Sequence, residues 1–228
     1  RVPTESLDIH SDGSIIIGRA DGVVEKLRST DGKPSDHWQA HTGRVLGIAG
    51  NNEVIATGGS DGMIKGWRTP DSRLFCFESC AGRIMQLRAN HSAIGAVAED
   101  GEVTLMSADG SAVRKVMQAH QGHTLGCAFN ANGCEFVTCG DDGSLAFWDS
   151  VSLHLLRRIS MGHGTTFWDL AFSSDGHWLV ATGEPDGMIY RWNLSTGDKD
   201  SFYVDNGRLS GCAISSNDKF LAVCGESG

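Results

Sequence analysis

The sequence has only 4 prolines and 2 tyrosines, and it has no long apolar run. The scarcity of proline excludes a low-complexity chain rich in glycine and proline. No stretch approaches the roughly 18 apolar residues of a membrane span. The amino-terminal sequence RVPTESLDIH also lacks the apolar centre of a signal peptide. We therefore expect a protein that neither spans a membrane nor is exported by that route.

An excess of positive charge is also missing. The 19 lysines and arginines are outnumbered by 28 aspartates and glutamates, which gives a formal net charge of -9. Such a chain has no general attraction for nucleic-acid phosphates or for an anionic membrane surface. The net charge does not exclude a local basic patch. We expect no membrane partner, and nucleic acid is a disfavoured one.

The seven cysteines show no paired pattern, because their number is odd and they are scattered through apolar runs. This distribution is typical of small buried side chains in a reducing compartment. Cys76 and Cys80 come close in sequence, but without a second pair or a spaced histidine pair a zinc site is less favoured than core packing. We expect no metal, no cofactor and a cytoplasmic or nuclear location.

Glycine, in contrast, is abundant, with 30 residues. Turn tripeptides such as SDG and DDG recur about every 40 residues, and a fixed period of this length indicates a repeat architecture. Their last glycines are Gly22, Gly62, Gly101, Gly143, Gly187 and Gly228. The chain thus holds five complete repeats and one partial repeat.

Further turn signals divide each repeat into four short segments. Asp-Gly and Asn-Gly, as in HSDGS and NANGC, suit hairpins because these residues tolerate a positive φ. The segments between them, such as EVIATGG and EFVTCG, are short and rich in β-branched residues, which favours strands. The sequence therefore predicts an all-β fold of four-stranded antiparallel sheets.

One such sheet cannot bury both of its faces alone, so successive repeats must pack against one another. Radial packing predicts a β-propeller, whereas a parallel β-helix needs shorter coils and a helical solenoid needs a helical period. The predicted blades of this single domain, 1–228, cover approximately 1–40, 41–80, 81–119, 120–162, 163–204 and, in part, 205–228. With about five and a half blades and an exposed sheet edge, we expect the chain to be part of a longer, seven-bladed propeller or of a multidomain protein.

Repeats 2, 4 and 5 share four residue types at matching places, with a threonine four residues before an aspartate and a tryptophan six residues after it. The residues are His41, Thr57, Asp61 and Trp67; His120, Thr138, Asp142 and Trp148; and His163, Thr182, Asp186 and Trp192. A hydroxyl, a histidine and a carboxylate could form a nucleophilic triad. The threefold recurrence argues against a reactive centre, as does the indole N–H, which is a donor only.

These residues resemble those of the WD-repeat family, also called WD40, and the resemblance covers the whole chain. Blades of that family typically run from Gly-His through a strand to Asp-Gly and then to Trp-Asp. The resemblance implies a buried structural network in which tryptophan donates to the hydroxyl, the hydroxyl bonds histidine, and histidine bonds aspartate.

Repeats 1 and 3 depart from this pattern. The residues at the hydroxyl, aspartate and tryptophan positions are Ile17, Asp21 and Leu27 in repeat 1, and Ala96, Asp100 and Met106 in repeat 3, where Cys80 lies near the histidine position. We expect these two blades to keep the turn, to lose the network and to depend on apolar packing. They should exchange amide hydrogens faster than the other blades.

The resemblance implies a platform for other proteins or peptides and a place in a larger complex. Arg44, Arg83 and Arg208 hold one position in the recurring triplets GRV, GRI and GRL. Arginines there could bind an acidic or phosphorylated segment, because guanidinium makes bidentate bonds to carboxylate and phosphate. The alternative is three solvated arginines, each balanced by a local carboxylate.

Two further candidates lie in the analogous regions of repeats 5 and 4. Trp168 is either an exposed anchor or ordinary packing at a strand start, and His123 is either a contact residue or simply solvated. The favoured function is a non-enzymatic scaffold for protein interactions. The alternatives are a hydrolase or lactonase with a metal in the central channel, and a nucleic-acid-associated propeller.

Overall fold

A computed structural model describes residues 2–10, 12–51, 53–69, 72–162, 164–185, 187–204 and 207–226. Throughout these ranges the regular secondary structure is β-strand, as the sequence predicts. The chain divides into two compact units, Arg1–Met117 and Gln118–Gly228.

The first unit contains three four-stranded sheets. Sheet 1 consists of β1 (Thr4–Ile9), β2 (Ile15–Arg19), β3 (Val23–Leu27) and β4 (Pro34–Gln39). Sheet 2 consists of β5 (Val45–Gly50), β6 (Val54–Gly59), β7 (Met63–Arg68) and β8 (Arg73–Ser79). Sheet 3 consists of β9 (Ile84–Ala89), β10 (Ala93–Ala98), β11 (Val103–Ser107) and β12 (Val113–Val116).

The second unit contains two four-stranded sheets and a strand pair. Sheet 4 consists of β13 (Thr124–Phe129), β14 (Glu135–Gly140), β15 (Ser144–Asp149) and β16 (Leu155–Ser160). Sheet 5 consists of β17 (Phe167–Phe172), β18 (Trp178–Gly183), β19 (Met188–Asn193) and β20 (Lys199–Tyr203), and sheet 6 consists of β21 (Leu209–Ile214) and β22 (Leu221–Gly225).

In all six sheets, consecutive strands pair antiparallel in the order of the sequence. Within each unit, the first strand of one sheet contacts the first strand of the next, as β5 contacts β9 and β13 contacts β17. Each repeat therefore forms one sheet, and neighbouring sheets meet along their first strands.

The tight turn between the second and third strands has the backbone geometry that its sequence demands. Its glycine has a positive φ in five repeats, with values of 84° for Gly22, 74° for Gly62, 89° for Gly101, 68° for Gly143 and 76° for Gly187. The preceding aspartate caps the turn, since Asp61 Oδ1 accepts a hydrogen bond from the Met63 N–H at 3.1 Å. Asp21, Asp100 and Asp142 make the same bond.

The apolar core of each unit lies between adjacent sheets. Ile64 of sheet 2 packs with Ile84 and Leu87 of sheet 3, and all three are almost fully buried. Each side chain of this size contributes about 1.5–3 kcal/mol when it is removed from water. The sheets approach so closely that a Cβ on Gly58 would lie 2.5 Å from Cγ2 of Ile84. Glycine at that position therefore permits the contact.

The cysteines are all free, but they are not uniformly buried. Cys127 and Cys139 are buried in the core, as expected. The expectation of burial is wrong for Cys134 and Cys224, which are exposed. Cys134 lies in the turn before β14, and Cys224 lies in β22 of the two-stranded sheet.

Among the described residues there is no helix of the length and hydrophobicity that a membrane crossing requires. Nor does this part of the chain bring three histidine, cysteine, aspartate or glutamate side chains together in a way that could hold a metal ion.

Candidate functional site

Sheet 2 contains a continuous chain of buried hydrogen bonds between the four residues of its repeat. Trp67 Nε1 donates to Thr57 Oγ1 at 2.9 Å. Thr57 Oγ1 lies 2.8 Å from His41 Nε2, and His41 Nδ1 lies 2.9 Å from Asp61 Oδ1. Because the carboxylate only accepts, Nδ1 carries the hydrogen and Nε2 accepts from the threonine hydroxyl. The network thus joins β6, β7 and the loop before β5.

The environment keeps this network in one charge state. Burial lowers the pKa of His41, although the Asp61 carboxylate acts against this effect. For Asp61, burial acts to raise the pKa, but the Thr42 N–H bond and His41 outweigh it, so the pKa is lowered. The charged carboxylate beside the neutral imidazole fixes the orientation of the ring. The threonine hydroxyl also accepts the Trp67 N–H and is fully buried, so a substrate cannot reach it.

Sheet 4 contains the same arrangement. Trp148 Nε1 donates to Thr138 Oγ1 at 3.0 Å, and Thr138 Oγ1 lies 2.9 Å from His120 Nε2. His120 Nδ1 lies 3.0 Å from Asp142 Oδ1 and 3.1 Å from Ser144 Oγ. The added serine gives this sheet one more bond than sheet 2.

Sheet 5 differs from the expected pattern. Thr182 Oγ1 and Trp192 Nε1 are buried and have no hydrogen-bond partner among the described residues, so the predicted bond between them is absent. His163 and Asp186 lie outside the described residues. The Trp192 ring instead packs in an aromatic cluster, 5.7 Å from Phe167 and 6.2 Å from Tyr190 between ring centroids.

Sheet 3 keeps the turn bond of Asp100 but also has a polar network of its own, which the expectation of apolar packing did not include. Thr104 Oγ1 donates to Glu102 Oε1 at 2.9 Å and lies 3.6 Å from Cys80 Sγ. Lys115 Nζ lies 3.0 Å from Glu102 Oε1, and Glu102 is only 3% exposed. Sequence reasoning missed Glu102 and Lys115 because no repeated motif contains them.

The charge states in sheet 3 follow from burial and pairing. Burial acts to raise the pKa of Glu102, but the bonds from Lys115 and Thr104 outweigh it and the pKa is lowered. Burial raises the pKa of the Cys80 thiol to about 12, so this cysteine stays protonated at neutral pH. An ion pair thus replaces the histidine and aspartate of the neighbouring sheet.

A cationic side chain supports the loop at the histidine position in three sheets. Lys65 Nζ donates to the Ala40 carbonyl at 2.5 Å, and Arg158 Nη2 donates to the Ala119 carbonyl at 2.7 Å. Lys115 Nζ bonds the Ser79 carbonyl in the same way. Each carbonyl belongs to the residue directly before the histidine or its replacement.

The candidate contact residues occupy one position that a main-chain hydrogen bond defines. In five sheets, the carbonyl at this position accepts the N–H of the residue before the turn aspartate or its counterpart. The accepting residues are Arg44, Arg83, His123, Thr166 and Arg208. Trp168 therefore does not hold the equivalent position in sheet 5. Thr166 holds it, and Trp168 lies two residues later, within β17.

The three arginines and the histidine are each paired with a carboxylate; Arg44, Arg83 and His123 are exposed, and Arg208 is partly exposed. Arg44 lies 2.7 Å from Glu5, and Arg83 lies 3.0 Å from Glu99. In the second unit, Arg208 lies 3.3 Å from Glu226, and His123 lies 2.8 Å from Asp141. These are the local carboxylate partners that the alternative interpretation of the arginines expects.

The second unit also brings two sequence-predicted candidates together. The Arg208 guanidinium lies over the Trp168 ring, 4.6 Å from its centroid. Trp168 Nε1 is buried and has no hydrogen-bond partner among the described residues. Both residues are partly exposed, so the pair presents an indole and a cation on one patch.

Polar side chains on first strands bond the adjacent sheet, which the sequence did not indicate. Asp169 Oδ2, at a position where β13 and β21 have glycine, accepts the Cys212 N–H at 2.9 Å. In the first unit, Ser6 Oγ donates to the Val45 carbonyl at 2.8 Å. These bonds fix the spacing of neighbouring first strands.

Comparison with known protein families identifies this repeat. The family model described as "WD domain, G-beta repeat" matches residues 32–68, 110–149 and 154–193, together just over half of the chain.

Individual relatives are more distant. The chain is 26% identical over 201 residues to human WD repeat-containing protein 36, covering 84% of this chain and 22% of that protein. It is 26% identical over 205 residues to human apoptotic protease-activating factor 1, covering 79% of this chain and 16% of that protein. The chain thus spans less than a quarter of the length of either relative.

A solved structure shows the same fold. A chain in the crystal structure of a mitotic checkpoint complex superimposes with a TM-score of 0.88 at 16% sequence identity, covering 98% of this chain and 72% of that chain. The propeller-like WD40 architecture predicted from the sequence is confirmed.

Proposed function

The chain belongs to the WD domain, G-beta repeat family, and from that premise we propose that it is a non-enzymatic scaffold that binds other proteins or peptides in an intracellular complex. The proposed location is the cytoplasm or the nucleus. Similarity to a chain of the mitotic checkpoint complex supports a role in an assembly, since that protein is part of one. The fold itself does not select a partner, so the surface must do so.

The observation that carries the proposal is the contact between Arg208 and Trp168. The Arg208 guanidinium lies 4.6 Å from the centroid of the Trp168 ring, and tryptophan and arginine are among the side chains most enriched in residues that dominate binding energy. The Arg208 side chain is 43% exposed, so a partner can reach the guanidinium. A partner that covers the pair would remove water from both an apolar ring and a cation.

The paired arginines also suit an acidic or phosphorylated segment. An exposed ion pair contributes only about 0–1 kcal/mol, so a ligand carboxylate or phosphate can displace Glu226 from Arg208 at small cost. The same exchange is open at Arg44 and Arg83 in the first unit, where both arginines precede the first strand of their sheet. The ligand would gain a bidentate, charge-assisted bond.

Quantitative affinity capture tests this function. The immobilised chain is compared with a Trp168→Ala and Arg208→Glu double variant and with an Arg44, Arg83 and Arg208 triple glutamate variant, each checked for its melting temperature. The matched control is Arg28→Glu, since Arg28 is also exposed and carboxylate-paired, with Asp31. Specific partners should be depleted several-fold by the first two and retained by the control.

Equal capture by all variants would contradict the proposed surface. Turnover of ester or lactone substrates by the purified chain would favour the hydrolase alternative instead. Salt-sensitive retention of nucleic acid would favour the third alternative.

A further inference from the structure

A second candidate site lies at the opposite edge of the first unit from Arg44 and Arg83. A cleft of about 830 Å³ opens there, lined by the turns that follow β5, β9 and β11. Arg68, at the end of β7, and Phe75, in β8, also line it. Its volume is in the range of sites that accept a small ligand or a short segment of chain.

The distinguishing feature of the cleft is the state of Arg68. Four arginines of the described structure lie over aromatic rings, namely Arg68 over Phe75, Arg157 over Phe147, Arg191 over Trp178 and Arg208 over Trp168. The last three also bond a carboxylate, which belongs to Glu135, Asp200 and Glu226, respectively.

Arg68 has the ring contact, 4.9 Å from the Phe75 centroid, but no hydrogen bond or ion pair to any residue that the structure describes. The ring covers one face of the guanidinium, and its N–H groups have no partner among the described residues. A planar, pre-oriented guanidinium with free donors is suited to bind a carboxylate or a phosphate in a bidentate manner.

Asn90 lines the cleft and holds a buried donor that is unsatisfied among the described residues. Asn90 Oδ1 accepts hydrogen bonds from Ser92 N, Ser92 Oγ and Ala93 N, which fixes the orientation of the amide. Its Nδ2 is buried and has no partner in the described part of the chain. A buried donor without a partner costs about 1–3 kcal/mol, which an acceptor at the cleft wall would offset.

Two carboxylates in the lining limit how much negative charge the ligand can carry. Glu53 and Asp109 both line the cleft, and hydrogen bonds from Ser111 and Ser107 lower the pKa of Asp109 to about 2. Asp109 is therefore charged at neutral pH and would repel a polyanion such as nucleic acid. Asp109 would accept N–H groups of a peptide backbone. A peptide with a single acidic side chain therefore suits both the Arg68 cation and the two carboxylates.

We propose that this cleft binds a peptide segment with one acidic side chain, whose carboxylate or phosphate pairs with Arg68. The peptide carbonyls face the amide of Asn90, and its N–H groups face the carboxylates of Glu53 and Asp109. This site uses none of the residues of the Arg208 and Trp168 surface, so either can fail without the other.

Three degenerate nine-residue peptide libraries test the proposal. They carry glutamate, phosphoserine or glutamine at the central position, and mass spectrometry measures the fraction that the immobilised chain retains. The wild-type chain should retain at least one acidic library several-fold more than the glutamine library. The ratio between the two acidic libraries identifies whether a carboxylate or a phosphate is preferred.

Point variants test whether the preference for acidic libraries depends on the cleft. In the Arg44, Arg83 and Arg208 triple glutamate background, Arg68→Gln should abolish the preference, and Arg68→Lys, which keeps the charge without the planar fork, should retain part of it. The matched controls are Arg191→Gln and Arg157→Gln, because both remove a ring-stacked arginine that already has a carboxylate partner. Both should keep the wild-type preference, and thermal melting confirms that each variant is folded.

Three results would overturn the proposal. They are equal retention of all three libraries by the wild-type chain, an unchanged preference in Arg68→Gln, and a loss in Arg191→Gln or Arg157→Gln as large as that in Arg68→Gln.

Discussion

The imidazole of His41 and the carboxylate of Asp61 lie 2.9 Å apart, with the ring buried and the carboxylate partly exposed. Asp61 also accepts the N–H groups of Thr42 and Met63, so one side chain connects the loop before β5 to the turn after β6. The interaction is therefore part of the architecture of sheet 2, and its contribution is to stability.

Replacing Asp61 by alanine should lower the free energy of unfolding by about 1–3 kcal/mol, because the buried His41 Nδ1–H loses its acceptor. Asp100→Ala is the matched control. Asp100 caps the equivalent turn through the Glu102 N–H, but its repeat has Cys80 at the histidine position. Asp100→Ala should therefore lower the free energy of unfolding by less than Asp61→Ala does. Urea unfolding measures both variants, and equal costs would show that the histidine contact contributes little.

The ion pair of sheet 3 should show strong coupling. Lys115→Met leaves the carboxylate of Glu102 buried without its cation, and we expect a loss of roughly 1–3 kcal/mol. The double variant Lys115→Met and Glu102→Leu should recover part of that loss, because no buried charge is left unpaired. A double-mutant cycle by urea unfolding measures the coupling. Additive costs would mean that the two side chains act independently.

Stability should decrease with acidification below neutral pH. The pKa of folded His41 lies below its usual value of 6.5, so the unfolded chain takes up a proton before the folded one does. The unfolding free energy contributed by this group is therefore complete above about pH 6.5 and falls as the pH drops below it. Melting curves between pH 7.5 and 5.5 should show a shallower slope in His41→Gln than in the wild type. An identical slope would contradict the assignment.

A second loss should follow at lower pH. The pKa of Asp61 lies below its usual value of 3.8, so its contribution is present above that pH and disappears as the pH falls through the lowered value. Acid unfolding of Asp61→Ala should lack this component.

Hydrogen exchange should rank the sheets by their polar networks. Amides of β6 and β14, which carry Thr57 and Thr138, should exchange most slowly, and those of β2 should exchange fastest because repeat 1 has Ile17 at the hydroxyl position. Strand β10 should lie between them, since the pair of Glu102 and Lys115 supports its sheet. Mass spectrometry of peptic fragments measures this order. Exchange in β2 as slow as in β6 would contradict it.

Asp169 should stabilise sheet 6 through its bond to the Cys212 N–H. Asp169→Ala removes the acceptor and should speed exchange of that amide several-fold, whereas Asp169→Asn keeps an acceptor oxygen and should restore most of the protection. NMR exchange rates for Cys212 distinguish the two. Equal rates in both variants would assign the protection to strand pairing alone.

Much of this fold follows from local sequence. The turn glycines have the positive φ that their Asp-Gly pairs predict, as at Gly62, because that preference belongs to two adjacent residues. The bonds between Trp67, Thr57 and His41 follow from a pattern that recurs along the chain.

What could not be predicted depends on side chains that are distant in sequence and unmatched in other repeats. Lys115 meets Glu102 only because β11 and β12 pair, and no spacing rule indicates that this lysine turns toward a buried acid. The place of Thr166 was open to prediction, since it follows His163 by three residues as Arg44 follows His41, and Trp168 lies two residues later. Arg208 precedes the first strand of sheet 6, whereas Trp168 lies in sheet 5. No local sequence pattern therefore indicates their contact.

One main-chain position recurs in five sheets, where its residues are Arg44, Arg83, His123, Thr166 and Arg208. The fold uses the main chain of this position, through its carbonyl in all five sheets and through its N–H at Arg44 and His123, and it does not require a particular side chain there. Substitutions there can change the side chain that each sheet presents to solvent without disturbing how the sheet folds. Under the proposed scaffold function, selectivity for partners can therefore change one sheet at a time while stability is kept.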